Sequence, residues 1–358
     1  MPGALRGKMK GWIPKMKKLF ALLLAAVMLL TLFVGCKNTD KNDKTDASGS
    51  TDANAAKLSL VVAGRFGDRS FYDSSKEGAE RLQKEGLVQL STIECNGENF
   101  SAQMQNAADK ANIVVCVGWE FYDVATIAPQ YPNVKFIWID NATDAPVANV
   151  LNITYAQNEG SYLAGYIAAA MSKNHVVGAV GGEDSDTIND FIVGYKQGAA
   201  EYDAKNGATT TVLVNYTNSY DDPAIGKECA IALNDKGADV IFQIASAAGD
   251  GVFDAAAEKG FYAIGVDSDQ KYINPDAIIC SMKKEVGTSI YDAVKEFVSG
   301  NTSKLGTTWQ TTLAEGYVGI GYGEDGSVQQ IPDEVKQAVE EYAQKIGSGE
   351  IKVDTTRR

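Results

Sequence analysis

An α/β fold of two doubly wound lobes joined by a hinge is predicted by three observations. Short β-rich runs at residues 58–63, 113–117, 135–139, 176–180, 210–214, 240–244 and 263–266 alternate with helix-period segments, the pattern of parallel sheets with crossover helices. A weak repeat divides the chain: Ala111-Asn-Ile-Val-Val leads to Asp140, Ala238-Asp-Val-Ile-Phe leads to Asp267, and the interval is 29 residues both times. Phe71 precedes Gly78-Ala79 as Phe191 precedes Gly198-Ala199, again at one spacing. Finally, about 300 residues follow Lys57, long for one core and natural for two lobes.

In chain order, the first element is an export signal. Lys15, Lys17 and Lys18 precede an apolar run over residues 19–34, too short for a comfortable span and charged as a secretory signal is. The run ends at Gly35-Cys36. A small residue before a cysteine at this place resembles the bacterial lipobox, with Cys36 the lipidated first residue of the mature chain. Met16 serves as an alternative start. Residues 37–56 hold Asp, Asn, Thr, Ser and Lys with little apolar content, so they are expected to form a disordered tether.

Composition narrows the function. With 33 basic and 46 acidic residues the formal charge is −13, which argues against nucleic acid as a partner. Cys95, Cys116, Cys229 and Cys280 lack metal-ligand spacing and read as small buried hydrophobes. The single histidine, His175, opens an apolar run and reads as structural. With one histidine, Ser-His-Asp chemistry and a multi-histidine metal site both have little material.

Open α/β sheets bind ligands beyond the carboxyl ends of their strands, so the loops there hold the candidate site. After the first strand, Gly64-Arg-Phe-Gly-Asp68-Arg-Ser-Phe71-Tyr72 offers a carboxylate and an aromatic face; Asp68 either binds ligand or caps the following helix. Trp119 stacks on a ligand ring or packs at a lobe edge. Asp140 and Asp267 end equivalent strands, where a carboxylate can chelate vicinal hydroxyls through charge-assisted hydrogen bonds; a turn-forming role remains open for Asp140. Phe191 faces the ligand or packs in the core. The small residues of Ala245-Ser-Ala-Ala-Gly249-Asp-Gly251 allow close backbone approach, without the Lys-Ser/Thr ending of a P-loop. Lys284 either donates into the cleft or is a solvated lysine at a helix start. A helix through Tyr162, Leu163, Tyr166, Ile167, Ala170 and Met171 is expected to cover a sheet, with Asn158 as its N-cap.

These segments together resemble the basic membrane protein family of ABC-transporter lipoproteins, which includes purine-nucleoside receptors. The resemblance is carried by Gly64-x3-Asp68-x-Ser-Phe71, Tyr131-Pro-Asn-Val-Lys-Phe136 with Asp140, Glu159-Gly-Ser-Tyr-Leu-Ala-Gly165, Gly181-Gly182, Gly265-Val-Asp267-Ser-Asp-Gln270 and Ser281-Met-Lys-Lys284. It implies two Rossmann-like lobes of the periplasmic-binding-protein type, closing around a nucleoside. It also implies Asp68 at the base edge, Phe191 stacking, and Gly249, Asp267 and Lys284 at the ribose. The family often has Asn and, four positions on, an aromatic where this chain has Tyr72 and Lys76; Tyr72 or Trp119 is the candidate replacement ring.

The expected organisation is a signal over 1–36, a tether over 37–56, a first lobe over 57–157 with parts of 282–358, and a second lobe over 158–281 with part of the C-terminal region. Chain crossings are expected near residues 155–160, 279–284 and 316–321. The expected protein is a monomeric, membrane-anchored receptor on the extracytoplasmic face, partnered by a small polar ligand and an ABC permease, with no cofactor, no metal and no catalysis. Competing readings are a sugar or autoinducer receptor on the same fold and a surface nucleoside hydrolase using Asp267 and Asp269.

Overall fold

The computed structural model describes residues 55–356. The signal, the lipidation site Cys36 and nearly all of the tether lie outside the described residues. Among those described, no helix is long and apolar enough to cross a membrane.

Two six-stranded sheets form the framework. In the first, β1 (Ala56–Val62), β2 (Val88–Glu94), β3 (Ile113–Val117), β4 (Lys135–Ile139), β5 (Val150–Tyr155) and β11 (Thr307–Thr311) lie in the order β11-β5-β4-β3-β1-β2. In the second, β6 (Val176–Gly181), β7 (Thr211–Tyr216), β8 (Val240–Ile244), β9 (Tyr262–Asp267), β10 (Ile278–Lys284) and β12 (Val318–Gly321) lie in the order β12-β10-β9-β8-β6-β7. The two orders match strand for strand, as duplication requires. They differ at the last position, where β11 is parallel to β5 and β12 antiparallel to β10. The central strands β3 and β8 are buried along their whole length, as expected of parallel strands covered on both faces.

The helices are α1 (Phe71–Lys84), α2 (Phe100–Ala108), α3 (Val124–Ile127), α4 (Gln157–Met171), α5 (Asp186–Asn206), α6 (Pro223–Asn234), α7 (Asp250–Lys259), α8 (Val286–Val298) and α9 (Asp333–Gly347). One helix from each half is exchanged. α4 follows β5 of the first sheet yet packs against α5 of the second lobe, and α8 follows β10 of the second sheet yet packs against α1 of the first. The chain therefore leaves the first sheet at Ala156 and the second at Glu285, and it passes between them again over 312–317. Residues 282–284 complete β10 and so belong to the second sheet, not the first lobe.

The repeated glycines mark where the exchanged helices touch. A Cβ on Gly78 would lie 2.0 Å from the Gly287 carbonyl oxygen, and one on Gly198 would lie 1.8 Å from that of Tyr162. Helix backbones meet directly at both places. Asn158 is not the N-cap of α4: Ala156 holds that position, and the Asn158 side chain instead donates to the carbonyls of Val353 and Asp354, tying down the C-terminal segment. His175 sits in a left-handed turn that opens β6. The thiols of Cys95, Cys116 and Cys280 are buried and unpaired, and that of Cys229 is half-buried and unpaired.

Gly198→Ala is expected to force α4 and α5 apart and cost about 1–3 kcal/mol, the usual price of overpacking. Urea unfolding measures this; an unchanged midpoint would mean that the two backbones are not in contact.

Candidate ligand-binding cleft

The carboxyl ends of the strands of both sheets converge on one cavity of about 420 Å³, within the range of pockets for small organic ligands. Of the sequence-derived candidates, Phe71, Tyr72, Trp119, Asp140, Phe191, Asp267 and Lys284 line it. Asp140 and Asp267 each close a strand in a left-handed conformation, with φ of 70° and 62°. Aspartate tolerates that region better than most residues, and the conformation turns the chain away from the strand end at both places.

Lys284 is the electrostatic centre. Its side chain is 2% exposed, and its ammonium donates to Asp140 Oδ2 at 2.6 Å. The same nitrogen lies 5.2 Å from the ring centre of Phe71, 4.9 Å from that of Tyr155 and 5.3 Å from that of Phe191, so aromatic faces supply the rest of its solvation. Pleating explains why adjacent lysines differ: Lys283 points outward to pair with Glu285, and Lys284 points inward. The pair joins the lobes, since Asp140 follows β4 and Lys284 ends β10.

Asp267 is 7% exposed and accepts a hydrogen bond from the Ser70 hydroxyl of the other lobe. Burial pushes its carboxyl up to about 6, against the opposing pull of Lys284 and Ser70. Further bonds cross the same interface. Ser246 Oγ donates to Asp68 at 2.8 Å, Gln270 Nε2 donates to the Arg69 carbonyl at 3.0 Å, and Arg69 pairs with Asp250.

Two candidates lie off the cavity wall. Asp68, 3% exposed, accepts from the backbone N–H groups of Ser70, Tyr72 and Asp73. It thus satisfies orphan donors at the start of α1 while bridging to Ser246. Gly249 packs against Gln243, whose Oε1 would lie 1.9 Å from an added Cβ; Ser246 of the same loop lines the cavity in its stead. Asp269, the partner of Asp267 in the hydrolase reading, accepts instead from the amides of Lys271 and Gly323 and is not part of the wall. Among the described residues no group of three His, Cys, Asp or Glu side chains is placed to hold a metal ion.

Sequence reasoning missed Glu120, Asn141, Glu183, Tyr220 and Ser246, all on the wall. The repeat carried a signal for Ser246: it lies eight residues after Ala238, as Trp119 lies eight after Ala111. Tyr220 follows β7, a strand whose end offered no motif.

Two doubly wound lobes that meet at their strand ends around one polar and aromatic cavity define a solute-binding protein. The chain belongs to the family described as ABC transporter substrate-binding protein PnrA-like, whose model matches residues 55–357. It is 31% identical over 338 residues to basic membrane protein A2 of Borrelia garinii subsp. bavariensis, covering 92% of this chain and 95% of that one. It is 30% identical over 363 residues to an uncharacterized lipoprotein of Pyrococcus abyssi, covering 92% and 86%. Among solved structures it resembles an ABC transporter system solute-binding protein from Aeropyrum pernix, with 27% identity, a TM-score of 0.76, and coverage of 85% and 94%. The family is one of ABC transporter substrate-binding proteins, so a small-molecule ligand and a permease partner follow.

The raised Asp267 carboxyl makes stability depend on pH with a definite sign. A carboxyl that titrates near 6 when folded and near 3.9 when unfolded leaves the native state holding the proton more tightly, so stability falls as pH rises from about 4 to 6 and stays reduced above. In urea unfolding of the unliganded protein, Asp267→Asn is expected to gain on the wild type by on the order of 2 kcal/mol between pH 4 and pH 7. Parallel pH profiles for the two proteins would contradict this.

Proposed function

We propose that the chain is a lipid-anchored extracytoplasmic receptor that captures a nucleoside, with a purine base preferred, in the interlobe cleft and presents it to an ABC permease. The observation that carries the reading is the joining of Asp267, Lys284 and Asp140 to the rings of Phe71 and Phe191 in a single cavity. A ribose presents vicinal hydroxyls that donate to a carboxylate and accept from an ammonium, and such charge-assisted bonds are the strong ones. A base presents a flat face, and stacking on an aromatic side chain contributes about 1–3 kcal/mol. Tyr72 and Trp119 both line the cavity, which supports either as the ring that replaces the aromatic residue missing at Lys76. Trp119 is 52% exposed, so a ligand has area there to cover.

Closure supplies the transport logic. A ligand that touches both lobes binds the closed arrangement better than the open one and shifts the population toward it. Lipid on Cys36 would hold the receptor at the membrane, since each buried methylene contributes about 0.8 kcal/mol.

Isothermal titration of the detergent-solubilised full chain tests the ligand class. A purine nucleoside is expected to bind without turnover and to raise the melting temperature, and Asp267→Ala is expected to weaken binding at least about a hundredfold. Binding of an aldose with no response to any nucleoside would overturn the assignment. Unchanged nucleoside affinity in both Tyr72→Ala and Trp119→Ala would remove the replacement-ring idea. For the anchor, Cys36→Ala is expected to move the protein from the membrane fraction to the soluble fraction, and retention in the membrane would count against lipidation.

A further inference from the structure

Within the nucleoside reading, one set of cavity residues has no role yet. Glu120 comes from the turn after β3 in the first lobe and Glu183 from the turn after β6 in the second, and both line the cavity. Glu120 Oε2 is sealed from solvent and accepts no hydrogen bond. Neither carboxylate pairs with a lysine or arginine among the described residues. The two are neighbours in electrostatic terms: Glu183 adds to burial in raising the Glu120 carboxyl, and both raise the Tyr220 hydroxyl. Tyr72, Trp119 and Tyr220 stand on the same wall.

A buried acceptor without a donor is costly and rare. Because Glu120 lines the cavity, a turn of its side chain brings this oxygen to the wall, where a guest can supply N–H or O–H groups. The aromatic neighbours call for a flat guest. Within the nucleoside reading that guest is the base, and a neutral ring with N–H groups on its edge satisfies the carboxylate. A carboxylate presents two oxygens side by side, which matches two parallel N–H donors as it does the fork of an arginine. Among common nucleosides, a guanine-type edge offers that pair: a ring N–H beside an exocyclic amine.

We propose that Glu120, assisted by Glu183, determines specificity by accepting hydrogen bonds from the edge of the ligand's base, so that the receptor prefers nucleosides with two adjacent N–H donors. Gly118 makes room for this carboxylate: a Cβ there would lie 2.4 Å from Glu120 Oε2.

Titration of the full chain with guanosine, inosine and 1-methylguanosine tests this, because inosine lacks the exocyclic amine and 1-methylguanosine lacks the ring N–H. The wild type is expected to bind guanosine at least about tenfold more tightly than either analogue. Glu120→Gln is expected to bring the three affinities to within about threefold by weakening guanosine most. Glu183→Gln is expected to narrow the preference less. Thermal unfolding of unliganded Glu120→Gln checks that it folds, and removal of an unpaired buried charge leaves it at least as stable as the wild type. Equal binding of all three ligands by the wild type, or a guanosine preference that survives Glu120→Gln, overturns this inference and leaves the nucleoside reading standing. Failure of every nucleoside to bind the wild type overturns both.

Discussion

A lysine ammonium removed almost entirely from water needs a counter-charge and polarisable neighbours, and Lys284 finds both only when the lobes are together. Its stem ends a strand of the second sheet; Asp140 and the Phe71 ring come from the first, and Tyr155 is the last residue before the chain leaves the first sheet. Opening the cleft separates the pair and returns both charges to water. For a buried pair the regained hydration largely offsets the lost attraction, so this contact sets the register of the two lobes without locking them. A guest that touches both lobes can then decide the balance with only a few kcal/mol of differential affinity.

The exchanged helices make that motion well defined. Because α4 and α8 each follow a strand of one sheet and pack on the other lobe, the chain crosses between the lobes at residues 156, 285 and 312–317. Within each lobe the helices meet backbone to backbone at Gly78 and at Gly198, where no side chain yields when the helices slide. The joints are short. The bonds that cross the interface, such as Asp68 to Ser246 and Gln270 to Arg69, end on loops at the strand ends, so closing assembles them together.

Strands buried on both faces were the most legible part of the fold. The largely apolar runs of β3, β4 and β8 were placed at their observed bounds from sequence, because at most one polar residue, Lys135 or Gln243, falls in any of them. β2 was missed, since an edge strand with the half-exposed sequence Val-Gln-Leu-Ser-Thr-Ile-Glu carries no such run. β5, β10, β11 and β12 were missed for similar reasons: Asn152 and Thr154 break up β5, and β10 ends in two lysines that suggest solvent. In the site, aspartates and aromatics at strand ends could be named from motif and repeat. Local sequence did not reveal which way Asp68 turns, because ligand contact and helix capping use the same carboxylate at the same spacing. Glu120 was hidden between Trp119 and Phe121, two aromatics that drew the reading toward stacking.

The duplication also explains how one cavity comes to have two chemically different ends. Equivalent positions supply Phe71 and Phe191, Asp140 and Asp267, and Tyr155 and Lys284 as the last residues of β5 and β10. Had the halves stayed identical, the cleft would be chemically symmetric and would suit a symmetric ligand. Divergence at matched sites removed that symmetry. Lys284 stands opposite the Tyr155 ring and engages Asp140, which leaves Asp267, held by a neutral serine, as the carboxylate with capacity to accept from a guest. Trp119 against Ser246 gives one lobe a flat surface where the other has a hydroxyl that ties to Asp68. Under the proposed nucleoside reading, each such difference would assign one part of the cavity to hydroxyl groups and another to a planar ring, and their sum would orient the guest.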